Sequence, residues 1–318
     1  MVRAIGRRVA IFVVSLLVAS VLVFLACAAL PGDVAQVILG QNADPAALEA
    51  LRRELGTDRP LIMQYGDWLT GMITGDFGSS QLTGLPVADD LSGRLGVTVW
   101  LVLGGMLLAL LVATPIGMLA AVRRRHASGF VVSLFSQIGL AVPAFWAGIV
   151  LVMIFAVRLQ WLPANGYVPL LSNPGQWFTH LVLPVISLAI VQGAVLVRYI
   201  RSAFIEVLTE DHLRTARAIG WTQWAALLRH GVRNASVQVI TVLGLQLSTL
   251  LVGAIVIEQV FTLNGLGMRL LAAVAERDLV VVQGIVMVLV AAVLLINFLV
   301  DLSYLAIDPR LRTQGARR

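Results

Sequence analysis

Charge disappears from this chain in long blocks. Six intervals hold no Asp, Glu or Arg: Val9 to Gly32, Leu95 to Val122, His126 to Val157, Leu159 to Val197, Asn234 to Ile257 and Leu279 to Val300. Each can hold a helix of roughly 20 residues, the length that crosses the hydrocarbon of a bilayer. Their apolar residues run continuously and do not alternate, as a lipid-exposed helix requires and a barrel strand does not. The pattern predicts an all-α membrane protein with six transmembrane helices.

Between the first two intervals lies a mixed segment, Pro31 to about Gly96, with its own periodicity. Asp44-Pro45 offers an N-cap and a proline at the first helical position. Leu48, Leu51 and Leu55 recur at helical spacing, and Gly56 follows as a stop. A second short helix is expected over Leu61 to Met72, with Leu61, Tyr65, Trp68, Leu69 and Met72 on one face. Its aromatic residues suit a membrane interface. Two uses of these amphipathic helices stay open: a docking surface for an external partner, or a lid packed on the outer ends of the spans.

The spans contain Pro115, Pro143 and Pro184, each of which removes a backbone hydrogen bond. Kinked or broken helices are expected, either lining a cavity or merely curved and repaired by neighbours. The longest internal polar stretch is Glu206 to Asn234. Phe204, Val207, Leu208 and Leu213 continue a helix out of the fourth span, Gly220 offers a turn, and Thr222 can cap a second helix. On that second helix Trp221, Trp224, Leu228 and Val232 share a face, with Arg229 and Arg233 beside it. A helix-Gly-helix lying along the membrane surface is expected, serving as an anchor or as a socket for a partner.

Composition agrees with the pattern: 59% of residues are hydrophobic, 13% are charged, and the mean hydropathy is +0.91. A soluble domain is near half apolar and a quarter charged. All 23 basic residues are arginine. With a cytoplasmic N-terminus, 16 fall inside (3, 7, 8, 123 to 125, 198, 201, 214, 217, 229, 233, 310, 312, 317, 318) and seven outside. The positive-inside rule then places both termini in the cytoplasm, and the loop Arg123 to Ser128 with them. These arginines flank spans and are not interleaved with aromatics, which argues against nucleic acid as a partner. The apolar run Val9 to Leu30 exceeds the roughly 7 to 15 residues of a signal-peptide core, so it reads as a retained first span. Four stretches result: 1–30, the cytoplasmic N-terminus and first span; 31–96, external; 97–310, a five-helix core with a cytoplasmic loop at about 201–234; and 311–318, a cytoplasmic tail.

Candidate chemistry is sparse. Cys27 is the one cysteine, which excludes an intramolecular disulfide and a thiolate metal site. A P-loop needs a lysine, and the chain has none. Leu91-Ser92-Gly93 is like a nucleotide-clamp signature but precedes the second span on the external side. The histidines at 126, 180, 212 and 230 lack metal-ligand spacing, and no HExxH or GxSxG occurs. No enzyme site and no metal site is expected. Apart from His180, at a helix end, the six intervals carry no ionisable group of the kind that proton-coupled transport uses. Gln137, Gln192, Gln246 and Asn297 remain as polar groups that line a path or bond a neighbouring helix.

The polar stretch resembles the cytoplasmic coupling loop of binding-protein-dependent ABC importer permeases, whose signature is Glu-Ala-Ala, three residues, then Gly. Here the matching residues are Arg214-Thr215-Ala216, Arg217-Ala218-Ile219 and Gly220. Arginine replaces the glutamate, a variant similar to the dipeptide, oligopeptide and nickel branch in its first-permease half. The segments LGTDRPLIMQY (55–65), TGDFGSS (74–80) and GLPVADDLSGRL (84–95) are similar to the external segment of that branch. So are RNASVQVITVLGLQL (233–247), IEQVFTLNGLGMRLL (257–271) and AERDLVVVQG (275–284) to its later spans, and VDLSYLAIDPRLR (300–312) to its C-terminal close. Two positions depart: Ile219, where the branch often has lysine, and Asn264, where it often has proline.

The resemblance implies a type I ABC importer permease in the cell (inner or plasma) membrane. It also implies partners: membrane lipid, a second homologous permease, two ABC ATPase subunits that bind ATP and Mg, and an external solute-binding protein. Asp211, Arg214, Thr215, Ala216, Arg217, Gly220, Trp221 and Trp224 would form the ATPase-coupling loop, with the Trp face seating it. No cofactor and no catalysis is implied for this chain. Cargo would be dipeptides or oligopeptides, since neutral amides suit a peptide better than a bare metal ion. The rival class is an ion-coupled secondary transporter, or a structural subunit of another membrane complex.

Overall fold

The computed structural model describes residues 2–29, 34–40, 43–54 and 56–307. In chain order the helices are α1 (Val2–Ala28), α2 (Val34–Leu39), α3 (Pro45–Glu54), α4 (Leu61–Thr74), α5 (Val87–Val122), α6 (Ala127–Ala141), α7 (Ala144–Leu151), α8 (Pro174–Val207), α9 (Asp211–Ala218), α10 (Gln223–Ala226), α11 (Val232–Val260), α12 (Leu266–Glu276) and α13 (Leu279–Ile307). Widened π-turns extend α7 over Val152–Arg158 and join α10 to α11 over Leu227–Gly231. A lone antiparallel bridge, Ser79 to Pro86, is the extended pairing seen among the described residues. Leu55 and the tail 311–318 lie outside the described residues.

Among the described residues, five helices are long and apolar enough to cross a membrane. The third apolar interval differs: it is delivered as α6 and α7 bent by 95°, and the count reaches six when the pair is one span. Pro143 is the reason, because a proline pushes the residue before it out of helical conformation, and Val142 is extended at φ −81, ψ 120. Pro115 and Pro184 sit inside α5 and α8, which run on without a break. The fourth interval starts late. Residues 159–173 form a loop, and α8 begins at Pro174, where the Asn173 side chain accepts from the Gln176 amide at 3.1 Å.

The chain divides into two compact units. One comprises Met1–Ile5, Thr98–Leu263 and Ile296–Arg318; the other, Gly6–Val97 and Asn264–Leu295. In the first, α8 is the central element, burying Leu181, Leu183, Leu188, Leu196, Ile200 and Phe204. Lipid is as apolar as leucine, so close van der Waals packing, not water exclusion, must hold these helices, and small residues allow it. A Cβ at Gly117 would lie 2.8 Å from an Ile200 methyl, at Gly139 2.7 Å from the Ala194 methyl, and at Gly244 2.5 Å from a Val300 methyl. The second unit has its own core of Cys27, Val87, Leu91, Leu266, Ala273, Val281, Val282 and Ile285, with Phe77 packed on it. There the predicted aromatic face of α4 turns inward: the Tyr65 and Trp68 rings meet Phe24 at 5.5 and 5.8 Å, and Tyr65 shares a hydrogen bond with Ser20 of α1.

Candidate functional site

After α8 ends at Val207, the chain turns through Leu208 to Glu210 and starts α9 at Asp211. An acidic residue in the first turn and Arg217 in the last both suit the helix dipole. Leu213 and Ala216, three apart, are the buried residues of α9. Asp211, Arg214, Thr215 and Arg217 point away from that seat and are exposed. Arg214 reaches back to Asp211 at 3.6 Å, and the Thr215 hydroxyl donates to the Asp211 carbonyl at 3.0 Å.

The turn that follows depends on Gly220. The Trp221 amide donates to the Ala216 carbonyl and the Gly220 amide to the Arg217 carbonyl, both at 3.1 Å, which closes α9 with a Schellman motif. That motif needs a left-handed residue, and Gly220 has φ +99 with open space around it. Conformation, not crowding, selects glycine there. Thr222 then caps α10 by accepting from the Ala225 amide at 3.3 Å. Trp221 stacks edge-on to His230 at 5.7 Å, with the Arg229 guanidinium 5.8 Å from its ring centre.

The Trp face does not seat the element. Trp221, Trp224, Leu228 and Val232 are all exposed, as is Ile219 at 73%. Buried instead are Leu213, Ala216, Ala226 and Leu227. Helical spacing identifies which residues share a face but not which side meets the protein, and here the smaller residues face inward.

Side chains that spacing did not single out tie this segment down. Gln238 Nε2 donates to Glu206 at 2.7 Å, and Asn234 Nδ2 donates to Glu210 at 3.3 Å. His212 lies between, its Nδ1 2.9 Å from the same Glu210 oxygen and its Nε2 3.4 Å from Asn234 Nδ2. The four residues that make the two bonds are legible only in retrospect, as two pairs each four apart, one where α8 gives way to α9 and one at the start of α11.

The four candidate path amides differ in exposure. Gln137 on α6 and Asn297 on α13 are exposed, Gln246 on α11 is half-buried, and Gln192 on α8 is buried. Gln192 Nε2 makes no hydrogen bond among the described residues. A buried carboxylate that hydropathy passed over, Glu258 near the end of α11, accepts from the Thr98 hydroxyl at 2.6 Å. No cluster of three or more His, Cys, Asp or Glu able to hold a metal ion occurs among the described residues.

The second unit holds a denser polar network. Arg269 of α12 donates to Asp90 at 2.7 Å and to Glu276 at 3.1 Å, and lies 3.8 Å from Asp278. Arg94 also bonds Asp90. Asp278, fully buried, accepts from the Ser80 hydroxyl and from the Gln81 amide. Burial would favour a neutral Arg269, but its bonds to Asp90 and Glu276 outweigh that and hold its pKa above the ordinary arginine value. All of these but Gln81 fall in segments that carry the family resemblance, and their role is to hold the loop at Ser80 against α12 and the start of α13.

Comparison with known proteins follows the same lines. The family described as "Binding-protein-dependent transport system inner membrane component" matches residues 113–313, and its N-terminal counterpart matches residues 1–89. A Brucella abortus (strain 2308) protein named as the permease of a peptide transport system is 40% identical over 306 residues, 96% of this chain and 98% of its own. The glutathione transport system permease protein GsiC of Escherichia coli (strain K12) is 38% identical over 306 residues, 96% of this chain and 97% of its own. Among solved structures, a chain of the MetNI methionine ABC transporter in an inward-facing conformation superposes with a TM-score of 0.59 at 17% identity. The match covers 69% of this chain and 96% of that one, which establishes a shared fold.

Proposed function

Because this chain belongs to the family of binding-protein-dependent transport system inner membrane components, we infer that it works as one permease subunit of an ATP-driven importer of short peptides. In this reading residues 31–96 face the outside, where a solute-binding protein docks. The loop at about 201–234 faces the cytoplasm. A second homologous permease completes the translocation path. Two separate ATPase subunits bind ATP and Mg and do the hydrolysis, and this chain carries no catalytic group.

The observation that carries the reading is the form of the α9–Gly220–α10 segment. It is rooted by Leu213, Ala216, Ala226 and Leu227, yet presents Ile219, Trp221, Trp224 and Leu228 outward beside Asp211, Arg214 and Arg217. A large apolar tip rimmed by charge is the anatomy of a surface awaiting a protein. Closure of the ATPases on ATP would carry this element with them and switch the path between inward and outward access. The energy reaches the spans as a difference in partner contacts between two states.

The names of the relatives support short peptides as cargo, and the uncharged amides along the spans fit a path that tolerates many of them. Gln192, a buried donor with a free hydrogen-bonding capacity, is the best candidate among the four for contact with a passing carbonyl. An ion-coupled carrier is less well supported, since the carboxylates on the long helices, such as Asp89, Asp90 and Glu258, lie near helix ends.

Tagging the chain in its native membrane, solubilising gently and identifying co-purifying proteins by mass spectrometry tests the reading. A second permease with two P-loop ATPases is the expected result. Recovery of the chain alone, under conditions where known transporter complexes survive, overturns it.

A further inference from the structure

We propose that Glu206 and Glu210 on one side, and Gln238 and Asn234 on the other, form a two-rung brace that makes the coupling segment, the end of α8 and the start of α11 move as one body. The proposal rests on the importer reading for its purpose, though the brace itself is a property of this chain.

The geometry is that of a ladder. Glu206 and Glu210 are four residues apart where α8 gives way to α9, and Asn234 and Gln238 are four apart in the first turns of α11. The chains run in opposite senses, so Glu206 meets Gln238 at 2.7 Å while Glu210 meets Asn234 at 3.3 Å. His212 completes the second rung. Its Nδ1, 2.9 Å from the Glu210 carboxylate, must donate, and its Nε2, 3.4 Å from the Asn234 amide nitrogen, must accept. The neutral imidazole protonated on Nδ1 satisfies both contacts. Val207, Leu213 and Leu227 of the same segment are all buried.

Bonds as exposed as these add little to global stability. Their effect is positional. Without them α9 is held by its backbone turn from α8, by its buried Leu213 and Ala216, and by the turn at Gly220 that leads toward α11. With them, a push on the exposed tip reaches α8 and α11 together. Two discrete bonded rungs are also the kind of physical link through which coupling between sites is carried.

The test has two arms. In the first, the unmodified chain in nanodiscs is compared with Glu206→Ala/Glu210→Ala by hydrogen–deuterium exchange. Exchange should rise by about tenfold in both 211–218 and the first turn of α11. A rise confined to the mutated turn overturns the brace, whatever the transporter does. In the second, the complete complex in liposomes is supplied with radiolabelled Ala-Ala and glutathione, and uptake is divided by ATP hydrolysed. Uptake per ATP should fall about fivefold to tenfold in the double variant while hydrolysis stays within about twofold. Gln238→Ala should share the defect, and the exchanged pair Glu206→Gln/Gln238→Glu, which remakes the rung, should restore it. Parallel loss of uptake and hydrolysis, or an unchanged ratio, overturns the coupling role. An unmodified complex that neither hydrolyses ATP nor takes up either probe, with the exchange arm positive, would condemn the importer reading and leave a structural brace without that purpose.

Discussion

The two polar regions of this chain use the same residue types to opposite ends. In the unit that holds residues 31–96, Arg269 is only 12% exposed and is met by Asp90, Glu276 and Asp278, the last of them 0% exposed. In the other unit, Arg214 is 70% exposed and meets Asp211, itself 96% exposed, at 3.6 Å. The first region has its charge satisfied from within and is finished as a structure. The second has its charge and its large apolar side chains turned outward. What separates them is burial: a desolvated charge must be paired by its own chain, whereas a solvated one can await a partner.

That contrast can be broken most forcefully at Arg269. Arg269→Ala leaves the buried Asp278 and the half-buried Asp90 facing each other without their shared cation. We expect a loss of about 3–5 kcal/mol, read as a lower thermal midpoint and rapid proteolysis at the loop around Ser80. Ser80→Ala removes one donor from Asp278 but leaves the guanidinium, so a loss of about 1–3 kcal/mol is expected in the same assay.

On the exposed side the order of effects reverses between stability and function. Gly220→Val forces a β-branched residue into φ +99 and should cost about 1–3 kcal/mol locally. The chain should still insert, and transport by the assembled complex should be abolished. Transport at a normal rate in that variant would count strongly against a coupling role. Smallest is Asp211→Asn, which should change stability by no more than about 0.5 kcal/mol, an effect erased by raising salt. A large effect of this substitution on unfolding would mean that the exposed region is not as open as it looks.

Much of the fold was legible because lipid imposes a simple rule. Uninterrupted apolar intervals of spanning length must be helical, since no water is available to satisfy a strand edge. Asp44-Pro45, Asn173-Pro174, Gly220 and Thr222 are local devices whose chemistry acts over a few residues; of these, Asp44-Pro45, Gly220 and Thr222 marked helix boundaries that the structure reproduces, while the Asn173-Pro174 start was overlooked inside an uncharged interval. Hydropathy did not separate the loop 159–173 from the span that follows it for the same reason: it registers absence of charge, and a loop rich in Pro, Asn and Gly can lack charge too. Among the three prolines, nothing local distinguished Pro143, which breaks its span, from Pro115 and Pro184, which do not.

The candidate site was legible in outline and wrong in its orientation. Spacing grouped Trp221, Trp224, Leu228 and Val232, yet which face meets the protein depends on what the neighbouring elements present, and it is Leu213, Ala216 and Leu227 that are buried. The rungs from Glu206 to Gln238 and from Glu210 to Asn234, the bond from Thr98 to Glu258, and the bond from Ser80 to Asp278 join residues far apart in the chain. The sequence by itself determined a helical membrane chain, the place of its polar segments and the turn at Gly220, because hydropathy, capping and backbone freedom act locally. Tertiary structure alone decided which polar groups are buried and paired and which face outward, because that choice is made by neighbours that only folding brings within 3 Å or so.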